Sequence, residues 1–116
     1  MSIQELYDVL EGDYQGTMGR LMKEDRIKKY LGKFIDAGDY QELLTNIAAE
    51  NWQEAFRNIH TIKGVALNLG LSKLAGVAST LTESLRSGTP TGDTESMLND
   101  VKAEYARTIE ILKANL

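Results

Sequence analysis

Apolar residues recur along this chain at spacings of three and four, a pattern typical of helices that each bury one face. β-branched residues scarcely alternate with polar ones, and helix-forming residues dominate most segments, so no strands are predicted. The predicted helices cover about residues 2–11, 13–22, 24–37, 40–50, 52–69, 71–87 and 98–112. Amphipathic helices joined by short loops favour an all-α antiparallel bundle.

Residues that start or stop helices lie between these segments. Ser2, Asp13 and Asn51 each precede a helical stretch and are predicted N-caps. The pair Gly38-Asp39 is interpreted as a C-terminal glycine followed by the next N-cap.

The two segments at 52–69 and 71–87 are predicted to form a helical hairpin. Gly70 ends the first segment, and the clearest loop, around Pro90, follows the second. Both segments carry an unbroken apolar stripe, formed by Trp52, Ala55, Phe56, Ile59, Ile62, Ala66 and Leu69 in the first and by Leu71, Leu74, Ala78, Leu81 and Leu85 in the second.

Composition excludes several functional classes. The chain has 116 residues, a length typical of one domain, and it has no cysteine, so disulfides and thiolate metal sites are excluded. One histidine cannot form a multi-histidine metal site within the chain. A net charge of −4 argues against nucleic-acid binding, and no apolar run approaches the roughly 18 residues of a membrane span. The N-terminus lacks the features of a signal peptide, so a cytoplasmic location is expected.

The only histidine, His60, lies mid-helix on the flank of the apolar stripe, which predicts a side chain that is anchored yet reachable from solvent. A neutral imidazole is a competent nucleophile near pH 7. Lys63, one turn away, can offset the charge of a phosphoryl group. Gly64 is unfavourable inside a helix by roughly 1 kcal/mol, and the missing Cβ leaves room for a macromolecule to approach. These three residues predict half of a phosphoryl-transfer site.

Simpler interpretations exist for each of these residues. A lone helical histidine is more often structural or on the surface than functional. Lys63 alone is most often a solvated charge, and Gly64 could instead ease close helix packing. The acidic residues Glu50, Glu54 and Glu83 are interpreted as ordinary solvated positions.

The stretch from Ala55 to Gly70, AFRNIHTIKGVALNLG, closely resembles the signature of histidine-containing phosphotransfer (Hpt) domains. That signature is a histidine, two residues, Lys-Gly, two usually small residues, and an apolar-Gly pair ending ten residues after the histidine. The resemblance also extends upstream of this stretch and into the next helix, so it covers nearly the whole chain. The matching residues outside the stretch are Gly12, Asp13, Tyr14, Arg20, Leu21, Phe34, Ile35, Leu74, Leu81, Leu85, Arg86 and Gly88.

The resemblance implies an antiparallel four-helix bundle with one or two short extra N-terminal helices: a single domain over 1–116, with the bundle core at about 24–116. By the same resemblance, His60 is the phosphoacceptor, Lys63 supports the phosphoryl group and Gly64 gives steric clearance. The family often has Gln or Glu 22 residues after the histidine, hydrogen-bonded to the imidazole. This chain has the shorter Thr82 there, a possible hydrogen-bond partner of the imidazole. Either its hydroxyl reaches the imidazole, a water bridges the two, or the imidazole is less firmly oriented.

The predicted function is that of a phosphocarrier in a two-component phosphorelay, without kinase activity of its own. His60 accepts a phosphoryl group from the aspartate of one receiver domain, in a response regulator or a hybrid histidine kinase, and passes it to another. The receiver brings the Mg²⁺, so no resident cofactor or metal is expected, and the chain is expected to be a monomer. Expected receiver contacts are Arg57, Leu67, Asn68 and Leu71.

Two other classes of function stay open from the sequence. In the first, the same hairpin is a binding module that docks a receiver or a helical partner without phosphate chemistry. In the second, the chain is a purely structural bundle, which leaves the glycine inside the helix unexplained.

Overall fold

A computed structural model describes all residues from 1 to 116, of which 79% are helical and none lie in strands. It contains seven helices, which confirms the all-α prediction. They are α1 (Ile3–Leu10), α2 (Tyr14–Leu21), α3 (Glu24–Asp36), α4 (Asp39–Ala48), α5 (Trp52–Asn68), α6 (Ser72–Leu85) and α7 (Thr94–Asn115).

The helix starts follow the sequence signals at two of the four predicted N-caps. Ser2 forms a capping box with Glu5 at α1, and the Asp13 carboxylate accepts a hydrogen bond from the Gly16 backbone N–H at α2. Asn51 occupies the N-cap position of α5, but its side chain makes no capping hydrogen bond.

The interpretation of Gly38-Asp39 is wrong. Gly38 has a φ of −89°, outside the left-handed region that a C-terminal glycine adopts, and it is itself the N-cap of α4. Asp39 is the first residue of α4, and α3 ends in extended backbone at Ala37. A turn with negative φ angles therefore joins α3 to α4, and it does not require a glycine.

Helices α3 to α7 form the bundle. Helix α4 packs on α5, α5 pairs with α6 as the predicted hairpin, and α6 packs on α7. The bundle closes through Tyr105 of α7, whose ring stacks on Tyr40 of α4 at 3.9 Å and lies 5.4 Å from Phe34 of α3. The predicted stripes of α5 and α6 are buried or partly buried throughout, whereas in α4 only Leu43 is fully buried.

A polar network fixes α4 against α5. The buried Asn58 of α5 donates a hydrogen bond to the Glu42 carboxylate and accepts one from the Asn46 amide, at 3.2 and 2.7 Å. Glu42 and Asn46 are one turn apart on α4. Because a buried amide is costly to leave unpaired, this network favours one rotation of α5 against α4.

The two short N-terminal helices, α1 and α2, pack against the turn of the α5–α6 hairpin. Gly70 has a φ of +67° in the turn between α5 and α6, and its carbonyl accepts a hydrogen bond from the Asp13 backbone N–H. A Cβ on Gly70 would collide with the Thr17 hydroxyl and the Asp13 carbonyl. Glycine is required here both for its backbone conformation and for this close approach.

None of the seven helices combines the length and the hydrophobicity that a membrane-spanning helix needs.

Candidate functional site

The imidazole of His60 is exposed near the middle of α5. The buried face of this helix is formed by Ala55, Asn58, Ile59, Ile62 and Ala66, and His60 points away from it. Its ring packs against one neighbour, Phe56, one turn earlier, with 5.7 Å between the ring centroids. No hydrogen bond or ion pair within the chain involves the imidazole, so both ring nitrogens are available to a partner.

Lys63 and Gly64 lie one turn after His60, as predicted. Lys63 is half-buried, and Gly64 is exposed. A Cβ built on Gly64 would meet no other atom within 4 Å, so close packing between helices of this chain does not explain this glycine. The space that a side chain at position 64 would occupy is open to solvent, on the same side of α5 as the imidazole.

The structure does not bring Thr82 to the imidazole. Thr82 is fully buried, and its hydroxyl donates its only proton to the Ala78 carbonyl at 2.7 Å. The prediction that Thr82 orients His60 by a hydrogen bond is therefore wrong, because this residue faces the core of the bundle and His60 faces solvent.

Glu83, in the last turn of α6, and Arg86, the C-cap residue of that helix, carry charge near Phe56. They form an ion pair with two hydrogen bonds, of 2.8 and 3.0 Å, and the Arg86 guanidinium lies 5.4 Å from the ring centroid of Phe56. The Arg86 guanidinium holds the pKa of the Glu83 carboxyl below its usual value, with a smaller contribution from the charge of Lys63. By sequence alone Glu83 is a solvated acid, and its three-residue spacing from Arg86 is the signal that indicates the pair.

Three of the four expected receiver contacts are exposed. Arg57 is paired with Glu54 on the same face of α5 at 2.7 Å, and Leu67 is 55% exposed, near Asn68. Leu71 is only 3% exposed, so the prediction that it contacts a receiver is wrong. It is the N-cap residue of α6, and its side chain is held in the core beneath the hairpin turn.

An open, mainly apolar cavity of about 340 Å³ lies beside Gly64, between α3 and α5. This cavity cannot be predicted from the sequence, because it depends on how far apart two separate helices are held. Its lining includes Tyr30, Lys33 and Phe34 from α3, and Gly64, Val65 and Asn68 from α5. No group of three or more histidine, aspartate or glutamate side chains in the chain is arranged to hold a metal ion.

Comparison with known proteins gives one match. The family model described as Hpt domain matches residues 30–113, from within α3 to near the end of α7. Searches among curated proteins and among solved structures found no significant match. The matched range includes the whole α5–α6 hairpin, whereas α1 and α2 lie outside it.

Proposed function

Because the chain belongs to the Hpt domain family, whose members serve phosphotransfer in two-component signalling, we infer that it relays a phosphoryl group between two receiver domains through His60. The whole chain acts as one phosphotransfer domain in this proposal. Hpt domains are phosphocarriers without kinase activity, and the proposal assigns none to this chain.

One observation carries the proposal: the only imidazole of the chain is exposed in the middle of a rigid helix, with a cation and an open glycine one turn away. Phosphoryl transfer requires mainly positioning and charge stabilisation. The exposed imidazole supplies the nucleophile, and Lys63 supplies positive charge. Gly64 leaves space for the partner to reach the imidazole.

In the proposed step, the lone pair of His60 Nε2 attacks the phosphorus of a receiver's aspartyl phosphate. The N–P bond forms as the O–P bond to aspartate breaks, and the aspartate leaves as a carboxylate. The proton on Nδ1 stays on the ring, which becomes an imidazolium bearing the phosphoryl group and can then release that proton to water. The reverse reaction with a second receiver's aspartate completes the relay.

The receiver is proposed to dock over the exposed face of the α5–α6 hairpin. Arg57, Leu67 and Asn68, which are exposed on α5 within about two turns of His60, are its proposed contacts. The receiver contributes its own aspartate and the Mg²⁺ that neutralises charge on the transferring phosphoryl group.

Incubation with receiver domains from the same cell, phosphorylated beforehand with labelled acetyl phosphate, tests the proposal. The expected result is an acid-labile, alkali-stable label on the wild-type chain and none on His60→Gln. Receivers that bind the chain without labelling it would contradict the relay and favour the alternative, a binding module without phosphate chemistry.

A further inference from the structure

Glu83 is connected to the proposed phosphoacceptor through Arg86 and Phe56. It belongs to α6 and pairs with Arg86 on the next turn through both carboxylate oxygens. Both side chains are about half exposed. The pair is therefore solvated, and little in the core depends on it.

Contacts connect this pair to His60. The Arg86 guanidinium lies over the ring of Phe56, and that ring packs against the imidazole of His60. On the other side, Lys63 lies one turn after His60, and its charge contributes to lowering the pKa of Glu83. The carboxylate is thus hydrogen-bonded to Arg86 and lies within electrostatic range of Lys63.

A phosphoryl group on His60 would change the balance of charge at this surface. It brings close to two negative charges and three strong hydrogen-bond acceptors. The phosphoryl oxygens attract Lys63 and also Arg86, which Glu83 holds in the unmodified chain, and the Glu83 carboxylate repels the phosphoryl oxygens. Because the Arg86 side chain is flexible and exposed, its guanidinium can exchange the Glu83 carboxylate for the phosphoryl group without a change in the fold.

We propose that Glu83 is a positioning residue that holds Arg86 away from the phosphoryl group and thereby sets how strongly His60 retains phosphate. This inference rests on the proposed relay. A relay must release its phosphoryl group as readily as it accepts one. A carboxylate that competes for the supporting cations weakens retention and favours onward transfer to a receiver.

The test is the distribution of phosphoryl label between His60 and a receiver aspartate, measured soon after mixing with a labelled receiver. In Glu83→Gln the ratio of labelled chain to labelled receiver should rise about threefold to tenfold, as expected for removing one charge near a doubly charged group in a water-like dielectric. Glu83→Asp, which keeps the charge, should stay closer to wild type than Glu83→Gln.

Glu104→Gln is the control, because Glu104 also pairs with the arginine three residues later, Arg107 on α7, although its side chain is more buried than that of Glu83. It should leave the ratio unchanged. An unchanged ratio in Glu83→Gln, or an equal rise in Glu104→Gln, would overturn the role of Glu83 while the labelled wild type still supported the relay. Absence of label on the wild type would instead remove the relay itself.

Discussion

The phenol of Tyr7 in α1 donates a hydrogen bond of 2.6 Å to the backbone carbonyl of Leu69, the C-cap residue of α5. The last carbonyl groups of a helix have no partner within that helix, and both residues are buried. An element outside the matched family range therefore satisfies one end of the helix that carries His60.

Replacement of Tyr7 by phenylalanine keeps the ring and removes this hydrogen bond. The free energy of unfolding should fall by about 1 to 3 kcal/mol, because a buried carbonyl loses its donor. Urea denaturation measures the loss. Tyr14→Phe is the control: its hydroxyl donates to Glu24 at the surface, so it should cost less than Tyr7→Phe. Equal losses in the two variants would contradict the role given to the buried bond.

The protein should lose stability steeply in alkaline solution. Burial raises the pKa of Tyr7 from 10.0 to about 12, and it does the same for Tyr105. Between pH 10 and pH 12 these two phenols keep their protons in the folded chain but lose them in the unfolded chain. The free energy of unfolding that is present below pH 10 therefore falls as the pH rises toward 12. Urea midpoints measured from neutral pH to above pH 10 should show the fall, and Tyr7→Phe should show a shallower one.

Gly64→Ala should separate stability from transfer. Alanine is the better helix former by about 1 kcal/mol, and the added Cβ meets no atom of the chain, so the variant should be as stable as wild type or more so. The rate of phosphotransfer from a receiver should nevertheless fall by about tenfold or more, because the methyl group displaces the incoming partner.

Gly32→Ala on α3 provides the matched control for that experiment. A Cβ at Gly32 also meets open space, so the gain in stability should be similar. Transfer to His60 should stay at the wild-type rate. A normal rate in Gly64→Ala would show that the open space beside His60 has no steric function.

Arg20 should matter for the order of the last turn of α5. Its guanidinium donates to the backbone carbonyls of Leu67 and Asn68, at 3.0 and 3.1 Å, and its positive charge lies at a helix C-terminus. Arg20→Met should cost about 1 kcal/mol and speed amide hydrogen exchange near the hairpin turn. The matched variant Lys28→Met removes an exposed cation from α3 and should leave exchange in α5 unchanged.

Truncation of Leu71 should lower stability, whereas truncation of Leu67 should weaken receiver binding. Leu71→Ala should lower the free energy of unfolding by about 2 to 5 kcal/mol, because it empties part of the core. Leu67→Ala should leave stability nearly unchanged and weaken receiver binding, since its side chain is exposed on the proposed docking face. Urea denaturation and titration with a receiver domain measure the two effects, and a normal receiver affinity in Leu67→Ala would remove this residue from the docking face.

Much of the helical order could be predicted from local signals. Ser2 and Asp13 cap their helices, and the stripes of α5 and α6 are buried, because caps and three- and four-residue spacing act within one or two turns. The exposure of His60 also followed from its position beside the stripe of α5. Local periodicity was less informative for α4, where fewer of the apolar positions meet another helix.

The sequence by itself therefore determined the helices, the hairpin and a solvent-facing His60 with Lys63 and Gly64 one turn away. Only the tertiary structure decided that Thr82 faces the core and that Arg86 lies over Phe56. It also decided that Tyr7 and Arg20 close the end of α5. The physical reason is that spacing along a helix fixes which residues share a face, whereas the partner of that face depends on how separate helices rotate and pack against one another.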